Sequence, residues 1–215
     1  MYIPKPYRVK DIEKIEKFIK ENSFATLISQ GEKFPYATSI PIELELNEKG
    51  EKVLWGHLSK ANFHAKLIEE NPNVLVVYLS PIHHYISSSW YKNPDAPTWN
   101  YISIQISGTI EVINGEKAWE SVRRLTDKYE RISKCPISLD TLPRRVQQQM
   151  NGLVAFEIKI ENIEAAFKLS QNRNDEDYQN IISELYKLND PISEQMANTL
   201  KQNGTEKEKI MKKNK

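Results

Sequence analysis

Residues 99–113 constrain this chain more than any other stretch. Between Trp99 and Ile113, Ile102, Ile104, Ile106, Ile110 and Val112 fall on every second position, with Gly108 in the middle. A period of two predicts a long strand with one apolar face. The glycine predicts a bulge or a tight barrel corner, because a residue without Cβ admits a close backbone neighbour.

The remaining segments supply partners of the same kind. Phe24–Ser29 reads as a strand. After Gln30-Gly31-Glu32-Lys33 comes an alternating segment in which Tyr36, Thr38, Ile40, Ile42 and Leu44 share a face. Asn47-Glu48-Lys49-Gly50 makes the next turn, and Lys52–Leu58 a third strand, the spacing of an antiparallel meander. Val74-Leu75-Val76-Val77-Tyr78 is a continuous apolar run, expected for a strand buried on both faces. His84–Ser87, Leu153–Ile160 and Ile163–Leu169 complete a set of six to eight strands.

Helices flank them. Asp11 can cap a helix carrying Ile12, Ile15, Phe18 and Ile19. Helices are also expected from about Asn62 to Glu70 and from Glu116 to Arg131, the latter burying Trp119, Val122 and Leu125. Asn174 precedes Asp175-Glu176-Asp177, acids where a helix dipole favours them, and Asp190-Pro191 is a second start signal. The fold class is mainly β with flanking helices (α+β), a small barrel. Strand and helix do not alternate, which excludes a doubly wound sheet.

With 215 residues, one domain is expected over 1–202, followed by a basic, Lys-rich tail over 203–215. The net charge is +1; residues 201–215 hold six lysines and two glutamates, or +4, leaving −3 for residues 1–200. No global field advertises nucleic acid. One cysteine, Cys135, cannot form an internal disulfide. The absence of a membrane-length apolar run and of a secretory signal agrees with a cytoplasmic location.

Candidate chemistry concentrates in two places. Six of the fourteen Trp and Tyr residues lie between positions 78 and 101, interleaved with Ser87-Ser88-Ser89-Trp90 and Pro97-Thr98-Trp99-Asn100. Flat rings beside short hydroxyls suit a planar ligand with polar edges, and equally suit barrel core and dimer contacts. His57-Leu58-Ser59-Lys60-Ala61-Asn62 places hydroxyl, cation and amide before a helix start, a plausible phosphate cradle. The same residues fit an ordinary capped helix with a solvated lysine. The four histidines, His57, His64, His83 and His84, lack zinc spacing, so no metal is expected. Arg144-Arg145-Val146-Gln147-Gln148-Gln149 could form a helix carrying side chains that read base edges, or a solvent-facing one.

Together these segments resemble the PaiB family, FMN-binding negative transcriptional regulators. The resemblance is carried by Met1-Tyr2-Ile3-Pro4, Asn22-Ser23-Phe24-Ala25-Thr26-Leu27, Gly56-His57-Leu58-Ser59-Lys60-Ala61-Asn62, Tyr85-Ile86-Ser87-Ser88-Ser89-Trp90-Tyr91, Pro97-Thr98-Trp99-Asn100-Tyr101 and Phe167-Lys168-Leu169-Ser170-Gln171-Asn172-Arg173. It spans about residues 1–185, and Ser88 stands where many members carry proline. It implies an FMN-binding split β-barrel of the flavin-reductase and pyridoxamine-phosphate-oxidase type, a homodimer with FMN at the subunit interface, and repression of sporulation and degradative-enzyme genes. On that basis the cofactor-binding residues are Thr38, His57, Ser59, Lys60, Asn62, Ser87, Ser88, Ser89, Trp90, Thr98, Trp99, Lys168, Ser170, Gln171 and Arg173. Arg144 and Arg145 are the candidates for DNA. A flavin-dependent oxidoreductase and a cofactor-free interaction module on the same fold are the alternatives.

Overall fold

The computed structural model describes the backbone of residues 1–213 and the side chains of residues 1–204. Eight strands and six α-helices follow in the order β1 (Arg8–Val9), α1 (Ile12–Glu21), β2 (Phe24–Ser29), β3 (Tyr36–Leu46), β4 (Lys52–Ser59), α2 (Phe63–Glu70), β5 (Asn73–Leu79), β6 (His84–Ile86), β7 (Thr98–Ile113), α3 (Gly115–Glu130), α4 (Arg144–Gln147), β8 (Leu153–Lys168), α5 (Asp175–Lys187) and α6 (Pro191–Lys213). The chain forms two compact units. The larger is Ile12–Tyr78 with Gln105–Ile163; the smaller is Met1–Asp11, Leu79–Ile104 and Glu164–Lys215. The boundaries cut β7 and β8, so each of these strands gives one end to each unit.

The larger unit is a closed barrel. Its antiparallel strands run β8-β4-β3-β2-β5-β7, and β7 pairs back onto β8. Leu27, Ile42, Leu54, Val76, Ile106, Phe156 and Ile158 point inward and are fully buried, each contributing about 1.5–3 kcal/mol by leaving water. Gly108 sits where β7 closes onto β8: a Cβ there would collide with the Lys159 carbonyl. This is the tight corner expected of that glycine. Gly56 lies opposite Phe156 in the β4–β8 register, and the Phe156 ring occupies the space its side chain would take.

Three expectations are corrected here. The β5 run is not buried on both faces: Val74, Val76 and Tyr78 are buried, while Leu75 and Val77 are half-buried on the outer face. The segments over 153–160 and 163–169 are one continuous strand, Leu153–Lys168. Its polar middle does not break it, because Glu161 accepts a hydrogen bond from Thr109 Oγ1 on β7. Of the three residues expected to bury α3, only Val122 is buried; Trp119 and Leu125 are half-buried.

Polar contacts explain the α3 result. The Arg124 guanidinium lies 5.2 Å from the Trp55 ring centroid. Trp55 Nε1 donates to Glu157 (2.7 Å), which also pairs with Lys117 (2.9 Å). Glu43 pairs with Lys128 (2.6 Å) and accepts from the Tyr129 hydroxyl (3.0 Å). Both carboxylates are buried, and buried charges persist when paired in this way.

In the smaller unit β1 pairs with the end of β8 (Arg8↔Ala166), and β6 with the start of β7 (Tyr85↔Trp99). Asn174 caps α5 by accepting from Asp177 N–H, and Asp190 accepts from the N–H groups of Ile192 and Ser193 at the start of α6. Ile181, Ile182, Leu185, Met196, Ala197 and Leu200 are buried on these two helices. From residue 205 on, the side chains of the basic tail lie outside the described residues. No helix among the described residues is long and apolar enough to cross a membrane.

Candidate functional site

The β4–α2 turn organises the polar residues of the larger unit. Asn62 N–H donates to the Ser59 carbonyl (2.9 Å), closing the turn. The cap of α2 is Asn62, whose Oδ1 accepts from His64 N–H (3.0 Å); Ser59 Oγ instead accepts from Ala61 N–H (3.2 Å). Asn62 Nδ2 approaches Thr38 Oγ1 on β3 (3.5 Å). Beneath them His64 is fully buried, with Nδ1 2.8 Å from Thr38 Oγ1 and Nε2 2.8 Å from Ser29 Oγ. Burial holds His64 below the ordinary histidine pKa. A neutral ring fits the site, donating to one hydroxyl and accepting from the other.

Exposed rings stand beside this group. Tyr36 is 37% and Phe63 54% exposed, their centroids 5.8 Å apart and edge to face. Tyr36 also packs edge-on against His64 at 5.2 Å. His57 and Lys60 each border a hollow that α3 also lines. His57 lines a small crevice with Trp55, Ser121 and Arg124, and burial lowers its pKa. Lys60 is exposed and borders a cavity of about 360 Å³ with Trp119, Met150 and the first turn of α3. Thr38 and Asn62 are therefore brought together, and His57 is not among them.

In the smaller unit, Ser87 caps a 3-10 turn by accepting from Ser89 N–H, and Ser88 and Ser89 are exposed. Trp90 stacks on His84, 6.3 Å between centroids at 27°. Trp99 is 52% exposed and meets Tyr85 and His83, both at 5.9 Å. Asn100 and Ser170 are buried against each other, exchanging hydrogen bonds of 2.9 and 3.1 Å. Ser170 adopts φ 56°, a left-handed turn. Gln171 is held by the chain itself: its Oε1 accepts from Leu169 N–H, and its Nε2 donates to the carbonyls of Pro6 and Phe167. Arg173 pairs with Asp95 and lies 4.1 Å over the Tyr91 ring; Lys168 donates to Thr98 Oγ1.

A family model described as "Putative FMN-binding domain" (FMN_bind_2) matches residues 1–162. "Protease synthase and sporulation protein PAI 2" of Bacillus subtilis is 38% identical, over 92% of this chain and 95% of its own length. The chain belongs to the PaiB family.

Two solved structures share the fold. A "FAD and Heme binding protein" from Mycobacterium smegmatis has a TM-score of 0.60 at 15% identity, covering 75% of this chain and 73% of that one. A "conserved hypothetical protein" from Mycobacterium tuberculosis has a TM-score of 0.56 at 15% identity, covering 81% and 94%. The fold is the antiparallel split barrel expected, with six barrel strands and six helices.

In this PaiB-family chain the sequence reading passed over His64, Ser29, Tyr36 and Phe63 as site-forming residues. His64 was legible only as one of four clustered histidines, since its two hydroxyl partners come from β2 and β3. The expected helix over 144–149 is a four-residue turn, Arg144–Gln147, continuing into a 3-10 segment. Arg144 and Arg145 are exposed on it, whereas Gln147 Nε2 donates to the carbonyls of Leu139 and Asp140.

Proposed function

We propose that this protein binds FMN and acts as a negative transcriptional regulator of the PAI 2 kind, as a homodimer. The observation that carries the flavin reading is the Thr38–Asn62 pair, held from below by buried His64 and flanked by exposed Tyr36 and Phe63. It offers short polar groups beside flat apolar surface, the two things a flavin mononucleotide needs from a protein. Lys60 lies in the same turn, has no ion-pair partner among the described residues, and supplies charge for the phosphate. Family membership supports the cofactor, and the name of the Bacillus relative supports the link to sporulation and protease genes.

The outer barrel face supports the dimer. Phe24 is 66% exposed, and Ile28 faces Leu75 across the β2–β5 ladder. With Val77 they make an apolar stripe on the outside of a closed barrel, which a second copy would cover. Arg144 and Arg145 are the proposed phosphate contacts if regulation is by direct DNA binding. The test has two parts. The purified protein should show flavin absorbance, and a colourless protein that takes up no added FMN refutes the cofactor. Promoter DNA should be retained at low salt and released as salt rises; no retention at any salt removes direct DNA binding.

A further inference from the structure

Lys168 in the smaller unit is a half-buried cation with no ion-pair partner among the described residues. It stands at the end of β8, hydrogen-bonded to Thr98 Oγ1 at the start of β7, with Nζ 5.7 Å from the Tyr7 ring centroid. The neighbouring charge is a second cation, Arg173, whose side chain is 14% exposed. Asp95 is committed to Arg173, which also donates to the Ala96 carbonyl. Of these two neighbouring cations, only Arg173 has a carboxylate partner among the described residues.

The groups shown against Lys168 carry no negative charge. Thr98 accepts from Lys168, leaving its own hydroxyl proton available. Burial raises the Tyr7 pKa, with Arg173 opposing and Tyr101 adding, so the phenol keeps its proton. Burial and then Arg173 hold Lys168 below the ordinary lysine value, the cost of a desolvated cation without a counter-ion. An anion arriving at this point would relieve that cost.

We propose that Lys168 and Thr98, beside the Tyr7 ring, form a binding subsite for a small oxyanion, a carboxylate or a phosphate. The family resemblance gives Thr98 and Lys168 to FMN, but the Thr38–Asn62 group on which the proposed flavin site rests contains neither. The competing account is a purely structural lysine–threonine hydrogen bond.

Thermal unfolding of the full chain, without added flavin, separates the two. Sodium chloride is replaced by sodium phosphate or sodium acetate at constant ionic strength. At least one anion should raise the wild-type Tm by about 3–6 °C at roughly ten times its half-saturating concentration. Lys168→Met should lose that rise and, in chloride, melt no lower than wild type. Thr98→Val, which keeps the charge, should show a smaller rise. A response to phosphate alone assigns a phosphoryl group; acetate alone, a carboxylate; both, an oxyanion in general. No wild-type response to either anion overturns the proposal, as does an equal rise in wild type and Lys168→Met. A colourless protein that takes up no added FMN and still responds keeps this subsite and sinks the flavin reading instead.

Discussion

At the residue scale, His64 links stability to the candidate site. It is fully buried with both ring nitrogens bonded to hydroxyls, on Thr38 and Ser29. Its folded pKa, like that of His57, is lowered by burial from the ordinary 6.5. The unfolded chain therefore binds these protons first. Stability should be full above about pH 6.5 and fall as pH drops below it towards the lowered folded pKa values. Thermal scans between about pH 7.5 and pH 5.5 should show this acid-side loss, and His57→Asn should show less of it; a wild-type Tm that rises on acidification contradicts the account. His64→Ala removes both bridges, leaving Ser29 Oγ unpaired and Thr38 Oγ1 with only the long contact from Asn62 Nδ2, at a cost of about 2–4 kcal/mol. Denaturant unfolding should find it well below Thr38→Ser, which keeps its hydroxyl.

At the element scale, the closure of β7 onto β8 is the most demanding contact. Any side chain at position 108 meets the Lys159 carbonyl, which is backbone and cannot swing away. Gly108→Ala should destabilise by about 1–3 kcal/mol, the usual cost of overpacking; a denaturation midpoint equal to wild type would show that the strands can separate there. The cap of α2 is a milder case, with Asn62→Ala costing about 1 kcal/mol. Much of this was legible in the sequence. Alternation along residues 102–112 and the short turns gave strand identities, and Asn62, Asn174 and Asp190 sit at the helix starts expected of them. What local pattern could not show is what each element meets. The Glu161-Asn162 stretch reads as a break until Thr109 is brought opposite, and α3 reads as an apolar helix until Glu43, Trp55 and Glu157 are placed beneath it. The apolar run of β5 carried no sign of which face the barrel would leave outside. Likewise, the motif around Lys60 suggested one cradle, whereas the fold joins Thr38 to Asn62 and sets His57 apart in a crevice lined by Ser121 and Arg124 of α3.

At the scale of the whole molecule, assembly and cofactor are the two properties to test. The outer stripe of Phe24, Ile28, Leu75 and Val77 predicts a particle of twice 25.0 kDa by light scattering, with Leu75→Asp shifting it towards the single chain; a wild-type mass of one chain at micromolar concentration removes the dimer. Exposed Arg144 and Arg145 predict that replacing both by alanine weakens any promoter retention and flattens its salt dependence. Unchanged retention moves the DNA contact elsewhere. Flavin binding is the central claim, and a fluorescence titration of FMN tests it most directly. Wild type should saturate, and Lys60→Ala should bind about 10- to 150-fold more weakly, the loss of a charge-assisted phosphate contact worth about 1.5–3 kcal/mol. Lys92→Ala, exposed and paired only with Glu176 through its side chain, should bind like wild type. FMN fluorescence unchanged by wild-type protein contradicts the account outright, and equal affinity of wild type and Lys60→Ala contradicts the phosphate assignment.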